Sequence, residues 1–187
     1  DTRISNALNY LVTKQNTAAY GHIVANISLG CLPGGFACQA CTAVIQPAID
    51  AALTAGIVVV AAAGNDGPTA NTVNRPAACE GVIPVTASDS IDALASFSSR
   101  GPEVAASGLA APGSGLTSTT LGGMSRGGLN GTSFASPIVA GAAALVLSRK
   151  PTATVTLLNN EVKTILRGTA DNIGLASTSQ GAGRLDL

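Results

Sequence analysis

The stretch that decides the fold is GIVVVAAAGN, which runs from Gly56 to Asn65. Its apolar run is continuous and rich in β-branched valine, without the polar alternation of a strand that faces water on one side. Such a run predicts a strand buried on both faces, as in a parallel sheet covered by helices. The strand ends in Gly64 and Asn65, and the ligands of open α/β sheets bind at this carboxyl end. A second stretch of the same type, IVANISLG from Ile23 to Gly30, also ends in small residues.

The remaining segments alternate between helical and extended patterns. Residues 3–16 carry apolar side chains at helical spacing, and residues 132–149 form a long helix of small residues that Lys150-Pro151 ends. This alternation over 187 residues predicts one α/β domain, 1–187. The other predicted elements are a helix over 42–55, strands over 57–62 and 82–86, short segments near 94–99 and 108–111, a hairpin within 113–130, a helix over 158–167, and a turn with a short strand over 181–187.

The long helix begins with GTSFASP, from Gly131 to Pro137. Gly131 lets a ligand approach the backbone without a Cβ in the way, and Pro137 is expected in about the first turn, where a missing N–H is tolerated. Ser133 would then lie where unpaired N–H groups and the helix dipole favour negative charge, a position suited to attack on a carbonyl. The residues alone leave open an ordinary capped helix, with Thr132 or Ser133 as the N-cap.

Together and in this order, the stretches 23–30, 56–65 and 131–137 resemble the subtilisin-like serine proteases, the subtilase family. FSSRGP at 97–102 and AAPG at 110–113 are also similar to the family, and the resemblance runs from about Ile23 to the C-terminus. It implies an α/β fold with a doubly wound, mostly parallel sheet that is flanked by helices on both faces. It also implies a serine-type endopeptidase that hydrolyses peptide bonds through an acyl-enzyme.

The resemblance assigns roles to individual residues. Ser133 is expected to be the nucleophile, and the side-chain amide of Asn65 is expected to form an oxyanion hole with the backbone N–H of Ser133. Ser28-Leu29-Gly30 should pair with the substrate backbone, and Ala62-Ala63-Gly64 should form one wall of the pocket for the side chain that precedes the scissile bond. On composition alone, Asn65 also fits a turn in the sequence Gly-Asn-Asp-Gly.

A serine nucleophile needs a general base, and the base needs an orienting carboxylate. His22 is the single histidine, and it does not match the family's catalytic histidine, which begins a separate helix further upstream. Asp1, the only carboxylate before His22, does not match the family's aspartate. We therefore expect the C-terminal portion of a subtilase catalytic domain, with the N-terminal part missing, that is inactive or nearly so by itself.

This interpretation implies two partners, a polypeptide substrate or inhibitor and the missing N-terminal part of the same domain. The alternative is a non-catalytic subtilase-like scaffold or peptide-binding module, which would pair an extended peptide with the sheet edge near Ser28-Leu29-Gly30. Self-association is a further possibility, because an incomplete sheet exposes an apolar edge.

The cysteines indicate an oxidising compartment. Their even number in a hydrolase-like chain suggests two disulfides and a secreted, extracellular protein. Of the three possible pairings we favour Cys31–Cys38, which closes a Gly/Pro loop, and Cys41–Cys79, which ties a helix start to the segment before a strand. The alternative is a zinc site, because Cys38 and Cys41 have a zinc-like spacing, but there is no second close pair.

Charge and hydropathy argue against several other partners. Ten basic residues balance ten acidic residues without any basic run, which argues against nucleic-acid binding. No apolar run reaches the length that spans a bilayer, so no membrane partner is expected. Calcium is common in subtilases, but the scattered acidic residues show no calcium-ligand spacing; they are Asp66, Glu80, Asp89 and Asp92. We therefore expect no metal or other cofactor on these residues, and calcium stays open as a ligand whose strong site would lie further upstream.

Overall fold

The computed structural model describes residues 1–16, 21–31, 38–149 and 158–186. A four-stranded parallel sheet lies at its centre, with the strands in the order β1-β2-β3-β4. The continuous apolar run of the sequence becomes β2, whose residues are all buried. The strands are β1 (Val24–Ile27), β2 (Val58–Ala62), β3 (Ile83–Ser88) and β4 (Leu109–Pro112).

Helices cover both faces of this sheet. Side chains of β2 point alternately to the two faces, so Val58 and Val60 join one core cluster while Val59 and Ala61 join the other. The first cluster contains α4 and α5, and the second contains α1, α2 and α3. The α-helices of the described residues are α1 (Thr2–Lys14), α2 (Gln46–Thr54), α3 (Pro102–Ser107), α4 (Thr132–Ser148), α5 (Leu158–Gly168) and α6 (Ser177–Gln180).

This architecture confirms the predicted α/β fold with a parallel sheet between two helical layers. The predicted hairpin is present as β5 (Leu116–Thr119) and β6 (Ser125–Leu129), which pair antiparallel. The predicted segment near 94–99 forms no strand, only an isolated bridge from Leu94 to Ser88, and α3 and α6 were not predicted. The expected helix stop at Lys150-Pro151 lies outside the described residues.

Two disulfides connect the four cysteines in the favoured pairing. Cys31 is bonded to Cys38 and Cys41 to Cys79, with Cα–Cα distances of 5.3 and 4.8 Å. The sulfurs of Cys38 and Cys41 are thus bonded to Cys31 and Cys79, and the disulfides take the place of the alternative zinc site. No helix in the described part of the chain is long and apolar enough to cross a membrane.

Candidate active site

The carboxyl ends of β1 and β2 meet the N-terminus of α4. Ser28 follows β1 directly, Asn65 lies three residues after β2, and α4 begins at Thr132 with Ser133 as its second residue. The segments that the sequence places far apart therefore converge at one edge of the sheet. This is the edge at which open α/β sheets bind their ligands.

Thr132 fixes the orientation of the Asn65 side chain. The backbone N–H and the hydroxyl of Thr132 both donate to Oδ1 of Asn65, each at 3.0 Å. The Thr132 hydroxyl oxygen also accepts a hydrogen bond from the Gly64 N–H at 3.2 Å. Because Oδ1 is held by two donors, the Nδ2 group of Asn65 is turned away from Thr132.

The Nδ2 group of Asn65 and the backbone N–H of Ser133 flank the same small volume. A Cβ built on Gly131 would lie 3.6 Å from Asn65 Nδ2 and 3.7 Å from Ser133 N. Neither nitrogen donates a hydrogen bond to any residue that the structure describes. Ser133 N–H is one of the first four amides of α4, which lack intrahelical acceptors. Gly131 has φ 153°, a backbone conformation that side-chain-bearing residues rarely adopt.

Ser133 is also bonded to the end of β1. Its hydroxyl donates to the Ser28 carbonyl at 3.3 Å, and the Ser28 hydroxyl donates to the Ser133 carbonyl at 2.8 Å. The expectation that Pro137 lies in the first turn is wrong, because Pro137 is the sixth residue of α4. Its missing N–H would have donated to the Ser133 carbonyl in a regular helix, and the Ser28 hydroxyl replaces that donor.

A pocket of about 140 Å³ opens beside Ser133. Its lining combines the end of β1, the end of β2, the start of α4 and one residue of the following loop, Asn74. Ala63, predicted to form part of the wall, is fully buried in the core on the α2 side and does not line the pocket. The lining residues are Leu29, Gly30, Cys31, Ala62, Gly64, Asn65, Asp66, Asn74, Thr132 and Ser133.

Ser99, a buried serine of the stretch 97–102, supports the loop that carries Asn65. The Ser99 hydroxyl accepts from the Asp66 N–H at 3.1 Å, and the Ser99 N–H donates to the Gly64 carbonyl at 3.0 Å. Gly64 has φ 113°, and a Cβ there would lie 2.7 Å from Asn74 Nδ2. Glycine at position 64 is therefore required both by the backbone conformation and by the closeness of Asn74.

The comparisons with known proteins agree with this arrangement. The sequence model of the Subtilase family (Peptidase S8) matches residues 1–183. The chain belongs to the subtilase family. The sequence resemblance begins at about Ile23, but the family match begins at residue 1. Helix α1 therefore belongs to the family region as well.

Individual relatives show how much of a subtilase these residues cover. The chain is 45% identical to subtilisin DY of Bacillus licheniformis over 153 residues, which are 81% of this chain and 50% of that protein. It is 42% identical over 167 residues to an extracellular protease of Xanthomonas campestris, covering 86% of this chain and 27% of that protein. Among solved structures, the S41 psychrophilic protease has a TM-score of 0.83 at 28% identity, covering all of this chain and 63% of that one. The chain thus spans half or less of the length of these two curated relatives.

His22 lies at the opposite end of α4 from Ser133. It borders a separate cavity with residues of the last turns of α4, among them Leu147 and Ser148. Ser133 and Leu147 are 14 positions apart in the sequence, which corresponds to about 20 Å along a helix axis. His22 therefore does not reach the Ser133 hydroxyl in this subtilase. The Asp1 carboxylate is paired with Arg75 at 2.8 Å, on the α2 side of the molecule.

Three residues of the site were not singled out in the sequence. The sequence pattern predicts Thr132 only as a possible helix cap and Asp66 only as one of the scattered acidic residues, and it does not indicate Asn74. Asn74 is 5% exposed and donates through Nδ2 to the Asp66 carboxylate. A buried asparagine in a loop can be recognised only once its partner is known, and no pattern in the sequence indicates that pairing. No three His, Cys, Asp or Glu side chains of the described residues come together as candidate metal ligands.

Proposed function

We propose that the full-length protein, meaning the natural chain that contains these 187 residues, is a secreted serine endopeptidase that acts through an acyl-enzyme on Ser133. The observation that carries this proposal is the convergence of two donors, Ser133 N–H and Asn65 Nδ2, beside Gly131 at the start of α4, neither of which is engaged by a residue that the structure describes. Serine proteases need such a pair to stabilise the oxyanion that forms when the hydroxyl attacks a peptide carbonyl. The subtilase relatives support the same reaction class.

In the proposed reaction the Ser133 oxygen attacks the scissile carbonyl, and the resulting oxyanion accepts hydrogen bonds from Asn65 and Ser133. The hydroxyl proton passes to a general base, which then gives it to the leaving amine. In the second half of the reaction the base takes a proton from water, the water oxygen attacks the acyl-enzyme ester, and the proton returns to the Ser133 oxygen as the product acid leaves. None of these steps requires a metal ion or another cofactor.

The general base and its orienting carboxylate are proposed to come from outside these residues. His22 is the only histidine of the sequence and lies at the far end of α4. The 187 residues alone are therefore expected to hydrolyse peptides barely or not at all. In the isolated segment the Ser133 hydroxyl is engaged with a backbone carbonyl, which cannot accept its proton permanently.

We infer that an upstream part of the same domain packs against the open edge of the sheet. β1 is an outer strand, and an apolar groove of about 390 Å³ lies between it and α1. The groove is lined by side chains such as Ile4, Leu8, Leu11 and Ile27. An outer strand presents unpaired backbone groups that another strand satisfies. In the isolated segment a second copy would take that place, which size-exclusion chromatography detects as a dimer.

The substrate backbone is proposed to run along Ser28-Leu29-Gly30. Leu29 is 64% exposed, and Leu29 and Gly30 both border the pocket beside Ser133. An extended peptide at this place would continue the sheet by backbone hydrogen bonds, and the side chain before the scissile bond would enter the pocket. The same surface would bind a peptide inhibitor.

A fluorophosphonate tests the proposal directly. The full-length protein is expected to react stoichiometrically, and mass spectrometry should place the adduct on Ser133. The Ser133→Ala variant serves as the control and should remain unlabelled. A full-length protein that binds peptides but neither hydrolyses them nor reacts with the probe would instead support the non-catalytic peptide-binding module.

A further inference from the structure

The pocket beside Ser133 contains one charged side chain among its described lining residues, that of Asp66. Asp66 follows the proposed oxyanion residue Asn65 in the sequence. Its position is fixed on two sides, because its backbone N–H donates to the Ser99 hydroxyl at 3.1 Å and its Oδ2 accepts from Asn74 Nδ2. Asn74 is itself held by a hydrogen bond from its N–H to the Ala63 carbonyl at 2.8 Å.

The bond from Asn74 leaves two side-chain acceptors at the pocket, whereas the donors there, Asn65 Nδ2 and the Ser133 N–H, bind the substrate carbonyl in the proposed reaction. The amide of Asn74 must turn its NH₂ group toward the carboxylate, since two acceptor oxygens would repel each other. Its own Oδ1 and the Oδ1 of Asp66 then receive no hydrogen bond from any described residue. Both are acceptors, so a side chain that enters the pocket must supply donors to satisfy them.

The negative charge of Asp66 is also uncompensated. Asp66 forms no ion pair with any lysine or arginine of the described residues. Water screens this charge in the open pocket, but a bound side chain displaces that water and strengthens the interaction with the carboxylate. The apolar part of the wall, formed by Leu29 and Ala62, suits the methylene stem of a long side chain.

We propose that this pocket selects substrates with a basic side chain, lysine or arginine, immediately before the scissile bond, and that Asp66 is the residue that determines this specificity. The proposal rests on the proposed endopeptidase function. The stem of the basic side chain lies along Leu29 and Ala62, and its charged end donates to the Asp66 carboxylate and to Oδ1 of Asn74. An acidic side chain at the same place meets the negative charge of Asp66 and the acceptor oxygen Oδ1 of Asn74.

The test uses the full-length protein and three peptide substrates that differ only at this position, with lysine, norleucine or glutamate. Norleucine has the stem of lysine without its charge. The expected kcat/KM for lysine exceeds that for norleucine about tenfold, with glutamate the poorest substrate. Asp66→Asn keeps the acceptor for Asn74 and removes the charge. It should lower kcat/KM for lysine about tenfold, leave norleucine within about twofold, and improve glutamate.

Asp50→Asn is the matched control, because Asp50 is an exposed carboxylate on α2 that does not line the pocket. It makes the same change in net charge and should leave all three substrates unchanged. A second measurement needs no variant. Raising the salt concentration to 1 M shortens the Debye length to about 3 Å, so the preference of the wild-type protein for lysine over norleucine should shrink.

Three results would overturn the proposal. They are a wild-type preference for norleucine over lysine, an equal loss for all three substrates in Asp66→Asn, and a preference for lysine that Asp66→Asn leaves intact. Phosphonate labelling separates this failure from failure of the proposed function. A protein that labels at Ser133 but does not discriminate among the peptides contradicts only the role of Asp66. A protein that neither labels nor cleaves contradicts both proposals.

Discussion

Ser28 and Ser133 exchange two hydrogen bonds between the end of β1 and the start of α4. The Ser28 hydroxyl donates to the Ser133 carbonyl at 2.8 Å, and the Ser133 hydroxyl donates to the Ser28 carbonyl at 3.3 Å. The first bond exists because Pro137 has no N–H to offer the carbonyl of Ser133. The carbonyl of the proposed nucleophile is therefore held by the residue that follows β1 rather than by the next turn of its own helix.

Ser28→Ala should destabilise the protein by about 1–2 kcal/mol and lower kcat, because the Ser133 carbonyl loses its donor. Thermal unfolding in the inactive Ser133→Ala background, which avoids autolysis, gives the change in stability. Ser148→Ala is the matched control, since Ser148 is exposed in the last turn of the same helix and its hydroxyl bonds Leu145 locally. It should change stability by less than about 0.5 kcal/mol.

A double-mutant cycle with Pro137→Ala tests the stated reason. Alanine at position 137 restores an N–H that donates to the Ser133 carbonyl, so Ser28→Ala should cost less in that background. Equal costs in both backgrounds would show that Ser28 acts in some other way than by replacing the donor that proline lacks.

Substitutions of Asn65 should separate catalysis from stability. Both Asn65→Leu and Asn65→Asp remove the Nδ2 donor and should lower kcat by roughly 10²–10³, which is the value known for the equivalent donor of subtilisin itself, a relative of this chain. Asn65→Leu also removes the acceptor of the buried Thr132 and should cost about 1–3 kcal/mol of stability. Asn65→Asp keeps an acceptor oxygen there and should unfold near the wild-type temperature.

Steady-state kinetics and thermal unfolding of the two Asn65 variants check this separation. KM should change little, because the donor acts on the charge that develops in the transition state. An Asn65→Asp protein with kcat within a few-fold of wild type would mean that Asn65 only orients Thr132 and does not touch the reacting carbonyl.

Much of the fold follows from local patterns in the sequence. The buried strand β2 appears as a continuous apolar run, β1 and β3 appear as apolar stretches that Asn26 and Thr86 interrupt, and α4 appears as a long segment of small residues between a glycine and a proline. The two missed helices, α3 and α6, have six and four residues. Helices of this length are too short to display a helical period, so tertiary contacts rather than pattern determine them.

The pocket shows the opposite limit. Asp66 and Asn74 are eight residues apart in a loop whose composition indicates only turns. Their pairing depends on the path of that loop, which the hydrogen bonds of Asn74 to Ala63 and of Ser99 to Gly64 and Asp66 fix in space. The same holds for Ala63, which the sequence predicts in the pocket wall but the structure places in the core. The direction of a strand alone does not tell which of three consecutive residues at its end faces a ligand. Such relations belong to the tertiary structure and leave no periodic signal in the sequence.

Reduction or removal of the Cys41–Cys79 disulfide should destabilise the protein by roughly 4 kcal/mol. The bond joins residues 38 positions apart, and chain-entropy estimates for a loop of that size give this value. The double variant Cys41→Ala with Cys79→Ala, unfolded with denaturant in the Ser133→Ala background, measures the effect. Cys31→Ala with Cys38→Ala is the comparison, because its loop is only 7 residues long and the same estimate gives a smaller loss. A larger loss for the short loop would contradict the entropic account.

Lys163 on α5 should make stability rise at alkaline pH. Burial lowers the pKa of Lys163 below its usual 10.5, and the neighbouring positive charge of Arg167 lowers that pKa further, while Glu80 opposes the shift. Between the lowered folded pKa and 10.5, the unfolded chain therefore binds more protons than the folded protein does. The contribution of Lys163 to the free energy of unfolding therefore increases with pH across that window. It is lowest at pH values where Lys163 is charged in both the folded and the unfolded state.

Two substitutions of Lys163 isolate this contribution. Lys163→Gln removes the charge and should raise the melting temperature at pH 7, whereas Lys163→Arg keeps the charge and should not. Both should flatten the rise in melting temperature between neutral pH and pH 10, because neither side chain titrates there. Calorimetry of the Ser133→Ala protein and both variants at pH 7, 9 and 10 provides the comparison. If the Lys163→Gln protein were less stable than wild type at pH 7, the ammonium group would have to be a favourable partner of Glu80 rather than a partly buried charge beside Arg167.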